Sequence, residues 1–341
     1  MTPRQRFHET MSYGQPDRVP LLEEGLRDDV LERWNSEGLD TDLATLFCYD
    51  RRERIEVDLS PRPDLVRPIV KRSDLSALRR CLDVNAAERY PGNWSGCVEG
   101  WRERCHLLEL PIHHGLFRSM GVDDWKDLEV VLEFLADNPT LVRDIMDIYA
   151  DFAAGVAERI LRDVKIDFAS LSEPIGGNNG TLISPGMYRQ IVLESYEPVF
   201  DVLQHHGVET IVFMTYANAE VLLPDVLDAG FNCLWAMETE TEAMNYRRLR
   251  RRLGKSLRLI GGIDLDCLRM GDEAIERELL EKVPPLLEEG GYIPVADGRI
   301  RADIPFTRYA HYRRVLERVT GVSAHDRNQA RTTREQNRPG F

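Results

Sequence analysis

Apolar residues along this chain fall into short blocks separated by longer stretches at helical spacing. From residue 105 onward the alternation is regular. Residues 105–112 (CHLLELPI), 166–171 (IDFASL), 209–214 (ETIVFM), 232–237 (NCLWAM), 257–263 (LRLIGGI) and 292–295 (YIPV) are short and apolar on both faces, as strands buried in a parallel sheet are. The stretches between them carry a helical period. After Asn138-Pro139, residues Val142, Ile145, Met146, Tyr149, Phe152, Ala153 and Val156 recur on one face, with Asn placed as a cap and Pro at the first helical position. Ser184-Pro185 opens a second helix by the same logic, predicted to run to about residue 206. Further helices are predicted at 220–229 (closed by Gly230), 241–253 (ending at Gly254), 273–289 and 309–319. Ile275, Leu279 and Val283 share a face of the third, which Pro284-Pro285 should bend and Gly290-Gly291 should stop.

The first hundred residues are less regular. Residues 18–23 (RVPLLE) read as a first strand, and another is expected between 42 and 58. Residues 59–66 hold two prolines and should be extended or looped. The glycine-rich stretches 92–100 (GNWSGCVEG) and 176–180 (GGNNG) read as loops. A helix after each strand is what parallel pairing requires. About eight such strands predict an α/β fold: one (β/α)8 TIM barrel over residues 1–321, a single domain with an N-terminal extension. The rival, an open doubly wound sheet, usually shows a glycine-rich phosphate turn after an early strand, and none appears. Residues 322–341 are polar and arginine-rich, and are expected to form a disordered tail.

Composition narrows the classes. Hydrophobic residues make up 43% of the 341 positions, enough for a large core. No apolar run approaches the roughly 20 residues of a membrane helix, and no apolar stretch follows the N-terminus, so a cytoplasmic, non-membrane protein is expected. A net charge of −14 repels phosphate backbones, which argues against a nucleic-acid partner. Six cysteines without a C-x-x-C pair read as reduced, small buried hydrophobes.

In a barrel, functional side chains sit just past the C-terminal ends of the strands. That rule selects Glu23 and Glu24, His113 and His114, Glu173, Met214 with Thr215, Tyr216 and Asn218, Glu238 and Glu240, Asp264, and Asp297 with Arg299. Clustered carboxylates raise one another's pKa and suit acid–base work. Glu173, Asp297 and Glu238 are therefore the catalytic candidates. Tyr216, Asn218, Met214, Asp264, His113, Arg299 and Glu24 are the candidates to hold a small-molecule substrate. Other readings stand beside these. Asp264 could cap the following helix, and Glu238 could pair with the arginines after it. His113 and His114 alternate across a strand, so at most one faces a common site. His205-His206 suit a helix C-terminus. The basic run Arg247, Arg248, Arg250, Arg251 and Arg252 suits a solvated helix face. No zinc, P-loop, dinucleotide or Ser-His-Asp motif is present, so no metal and no certain cofactor follows from the residues.

The chain resembles the uroporphyrinogen decarboxylase superfamily, which also contains the corrinoid-linked methyltransferases. The resemblance rests on residues 2–20 (TPRQRFHETMSYGQPDRVP), 182–188 (LISPGMY), 259–264 (LIGGID) and 290–297 (GGYIPVAD), in the family's order. It implies a (β/α)8 barrel with a deep cleft, often as a homodimer. Two departures bear on function. Where the decarboxylases carry an arginine pair for the porphyrinogen carboxylates, this chain has Glu23-Glu24-Gly25-Leu26-Arg27. Where the zinc methyltransferases carry His-x-Cys and a later Cys, it has Met214-Thr215-Tyr216 and Asp297. The resemblance thus implies a divergent member. One reading is a lyase acting on a carboxylic acid by proton transfer. A second is a methyltransferase moving a methyl group from an O- or N-methyl donor, with a corrinoid protein as partner or zinc as cofactor. A third is a non-catalytic small-molecule binding barrel.

Overall fold

The computed structural model describes residues 1–63, 71–177, 179–238, 244–323 and 326. It is an α/β fold. Nine strands are present among the described residues: β1 (Arg52–Arg54), β2 (Leu107–His113), β3 (Phe168–Glu173), β4 (Gly176–Gly177), β5 (Gly180–Thr181), β6 (Ile211–Tyr216), β7 (Cys233–Met237), β8 (Arg258–Ile263) and β9 (Tyr292–Ala296). Seven of them form one sheet in the order β1-β2-β3-β6-β7-β8-β9, and β4 and β5 form a small antiparallel hairpin. The β2–β3, β3–β6 and β8–β9 pairs are parallel. Among the described residues no helix is long and apolar enough to cross a membrane.

The first strand, predicted at 18–23, does not form. Pro20 has no N–H to give a ladder, and the backbone of Leu21 is taken by Asp50. The Leu21 N–H donates to Asp50 Oδ2 at 2.8 Å, and the Asp50 N–H donates to the Leu21 carbonyl at 2.9 Å. Pairing begins only at Leu26, as an isolated parallel bridge to Ile300. The strand expected between 42 and 58 is the three-residue β1.

Two compact units make up the chain: Met1–Arg52 with Cys105–Leu107 and Ala236–Phe341, and Glu53–Arg104 with Leu108–Trp235. The core of the first contains the helices Asp272–Glu289 and Phe306–Val319, with Ile275, Leu279, Val283 and Leu316 fully buried. Arg250, expected on a solvated face, is buried there and donates to the Gly290 and Gly291 carbonyls at 2.8 and 3.2 Å. The helix predicted at 241–253 is Tyr246–Leu253; residues 241–243, like Glu240 and nearly all of the predicted tail, lie outside the described residues.

The core of the second unit is built on the helix Pro139–Leu161, whose Val142, Ile145, Met146, Phe152, Ala153 and Val156 are buried as their spacing predicts. Asn138 precedes it without a side-chain cap bond. The predicted loop 92–100 is instead the helix Trp94–Arg102, capped by Asn93. A buried Val98–Trp101 stripe and the Trp94–Trp101 ring contact outweigh the cost of two helical glycines. The helix predicted at 184–206 starts as foreseen, with Ser184 accepting from the Met187 N–H. It then widens to a π turn at Arg189–Leu193 and tightens to a 3-10 turn at Glu194–Tyr196 before Glu197–His205 resumes. Pro198 gives a reason: it has no N–H for the Glu194 carbonyl and its ring crowds that turn. Of the cysteines, Cys97 is half-buried and Cys105 exposed, and the other four are buried as expected.

Candidate functional site

Side chains alternate across a strand, so register decides which residues can meet. Glu109 of β2 pairs with Phe168 of β3 and Pro111 with Ser170, but His113 pairs with Leu171. The strand takes up an extra residue between Pro111 and His113. Without that bulge, His113 would share the face of Glu109. With it, His113 joins the face of Ala169, Leu171 and Glu173. Bulges re-aim side chains in this way beside functional sites.

Glu173, the last residue of β3, is buried against the segment that begins at Ser184. Its Oε1 accepts the Leu116 N–H at 2.7 Å. Its Oε2 accepts the Tyr196 hydroxyl at 2.8 Å and the Tyr188 hydroxyl at 3.3 Å. The two tyrosines flank the π turn. Burial raises the Glu173 carboxyl to about 7, and the three donors only partly offset it. Burial, then the Glu173 charge, pushes both phenols well above their ordinary range, so they remain hydroxyls. The Tyr196 oxygen also lies 3.1 Å from Nδ1 of His113. That nitrogen accepts the Gly115 N–H at 2.8 Å, which assigns the ring proton to Nε2. Burial, then the neighbouring His114, holds His113 down to about 3, so it is neutral at physiological pH. Its Nε2 is buried and has no partner among the described residues. A cavity of about 140 Å³ has His113, His114, Arg118, Ser119 and Asp123 among its lining residues.

The opposite face of the same strands carries a polar group away from the strand ends. Glu109 lies in the middle of β2 and is fully buried; its Oε1 accepts from Ser170 Oγ at 2.5 Å and from Arg54 Nη2 at 3.0 Å. The signal was in the sequence: one acid inside the apolar run CHLLELPI.

The remaining candidates of this unit sit at the end of β6. Met214 and Thr215 are buried and Tyr216 half-buried. Asn218 closes a turn, accepting the Glu220 N–H at 3.2 Å through Oδ1 and giving its own N–H to the Gly177 carbonyl at 3.2 Å. Met214, Thr215 and Tyr216 offer neither the thiolate nor the imidazole a zinc site of the resembled kind needs. Among the described residues no group of three or more His, Cys, Asp or Glu side chains is placed to hold a metal.

In the other unit, Glu238, Asp264 and Asp297 are brought close to one another, largely through backbone. The Glu238 N–H donates to the Asp297 carbonyl at 2.5 Å, and the buried Asp297 accepts the Leu265 N–H through Oδ1 at 2.9 Å. Asp264 takes the Asp266 N–H at 2.8 Å, a turn-closing role. Glu238 is exposed and pairs with Arg27 at 3.5 Å and Arg301 at 3.7 Å, not with the arginines that follow it. Arg299 donates to the Leu26 carbonyl and to Asp28, Glu24 accepts from Arg52 at 3.2 Å, and the half-buried Glu23 accepts from Tyr309 at 3.0 Å.

Fold and site together define an α/β protein with a parallel sheet and titratable side chains at strand ends. The chain belongs to the uroporphyrinogen decarboxylase (URO-D) family, whose pattern it matches over residues 121–296, just over half its length. No curated protein matches it. Among solved structures, a methyltransferase from Methanosarcina mazei is similar over 96% of this chain and 99% of its own, at 15% identity and a TM-score of 0.60. Xylanase B from Clostridium stercorarium F9 aligns over 87% of this chain and 88% of its own, at 12% identity and a TM-score of 0.43.

Proposed function

We propose that the chain is a lyase-type enzyme of this family that acts on a small carboxylic acid by proton transfer. The observation that carries the reading is Glu173, a buried carboxyl brought to about 7 and joined through Tyr196 to a neutral His113. A group balanced near the working pH is the most effective proton donor and acceptor. Loss of CO2 from the substrate would leave an electron pair on carbon, and that carbon takes the His113 Nε2 proton. As it leaves, Nδ1 takes the Tyr196 proton and Tyr196 takes the Glu173 proton; a solvent proton then enters at Nε2 and the relay runs back, which returns a proton to Glu173 and the ring to its starting tautomer.

The test is a panel of small carboxylic acids in D2O. CO2 release with deuterium in the product is expected, and Glu173→Gln should lower kcat by about 100-fold or more. A second reading, methyl transfer, is favoured by the end-to-end likeness to the Methanosarcina mazei methyltransferase. There the protonated carboxyl would assist an oxygen or nitrogen leaving group. Methyl transfer to a thiol or to cob(I)alamin, with no CO2 release, would replace the first reading by the second.

A further inference from the structure

We infer that the cavity beside His113 is a recognition pocket for monocarboxylates with a compact apolar body, the carboxylate lying between Arg118 and His113. The inference deepens the proton-transfer reading and rests on it for the claim that the bound acid is the substrate. The pocket itself is argued from its walls. One wall comes from the end of β2 and the helix Gly115–Ser119, which place His113, Arg118 and Ser119 on the cavity. A planar guanidinium matches a carboxylate in two-point geometry. The His113 Nε2–H is buried and has no acceptor among the described residues, and a buried donor in that state calls for one. Nε2 has almost no accessible surface, so a carboxylate oxygen reaches it as the lining side chains part, and because the ring is neutral the bond costs no second charge.

The other wall is apolar. Tyr149, Phe152 and Ala153 project from one face of the helix Pro139–Leu161 at i, i+3 and i+4, and Ile112, the bulged residue, lies beside them on the cavity. At roughly 10–15 Å³ per water, 140 Å³ admits about ten non-hydrogen atoms, far fewer than a tetrapyrrole has. Asp123, also on the lining, repels a second carboxylate. Size and charge together select a single acid group on a small hydrocarbon or aryl body.

Benzoate and its neutral isostere benzamide, titrated calorimetrically into the full chain, test the pocket without requiring turnover. Benzoate should bind at least 10-fold more tightly than benzamide. Arg118→Gln, at an exposed position, should cost benzoate about 10-fold and leave benzamide unchanged. Ala153→Leu, which fills the cavity, should abolish binding of both while circular dichroism stays that of the parent. Glu173→Gln should bind benzoate as the parent does. Equal binding of the two ligands, no benzoate binding, or no effect of Arg118→Gln overturns the pocket. CO2 release from the acid panel without benzoate binding defeats the pocket and leaves the proton-transfer reading. Benzoate binding with the full preference, but no CO2 release from any acid, defeats that reading and leaves the pocket.

Discussion

The hydroxyl of Tyr196 is bonded at 2.8 Å to the carboxylate of Glu173, which is buried. That bond favours the ionised carboxylate and opposes the burial that disfavours it. Tyr196→Phe removes it without changing the shape of the ring. The Glu173 pKa should then rise above its present value of about 7, and the fold should lose about 1 kcal/mol for one buried hydrogen bond. The carboxyl 13C shift followed against pH reads the first effect and urea unfolding reads the second. A Glu173 titration that does not move would show that the bond contributes nothing.

Glu173 also ties stability to pH. Its ordinary value is 4.5 and its folded value about 7. The folded state holds this proton more tightly than the unfolded chain does. Its stabilising contribution is therefore fully present below pH 4.5 and is lost as pH rises to 7. The interval corresponds to about 3 kcal/mol. Glu173→Gln has no proton to lose. Its stability relative to the parent should climb by that amount between pH 4.5 and 7 and stay level above, as measured by urea unfolding across the range. A constant difference would mean that the carboxyl titrates normally.

Gly115 permits the contact that orients Glu173. Its φ is +79°, and a Cβ there would stand 2.4 Å from Glu173 Oε1 and 2.6 Å from the Ser172 carbonyl. Gly115→Ala is expected to cost about 2 kcal/mol or more from backbone strain and crowding. It should also push the Leu116 N–H away from Oε1, raising the carboxyl further. Thermal melting and the same 13C titration check both. A variant as stable as the parent, with an unmoved Glu173, would refute the assignment.

Much of the sheet was legible because hydrophobic runs and helical periods are local. The runs around 107–113, 168–173 and 292–296 differ from their predicted bounds by only one or two residues. What failed was decided by distant partners. Asp50 captures the backbone of Leu21, and Val98 and Trp101 find a core that outweighs Gly96 and Gly100. The site divides the same way. Glu173 and His113 could be named from their places at strand ends, but not that they would meet. Their meeting depends on strand register, which no local pattern encodes. Glu109 carried a visible signal, an acid inside an apolar run, yet it lies mid-strand, where the strand-end rule does not point.

The added residue in β2 gives one strand two addresses. Glu109 and Arg54 answer to one side, and His113 to the other. Substitutions on one side leave the other in place, so the two sets of polar groups can diverge independently as a lineage changes its chemistry. Shortening the strand by Ile112 would move His113 to the Glu109 side and strand Glu173 behind the sheet with no route to the cavity. In this protein the length of a strand, more than the identity of its residues, decides which acid a histidine serves.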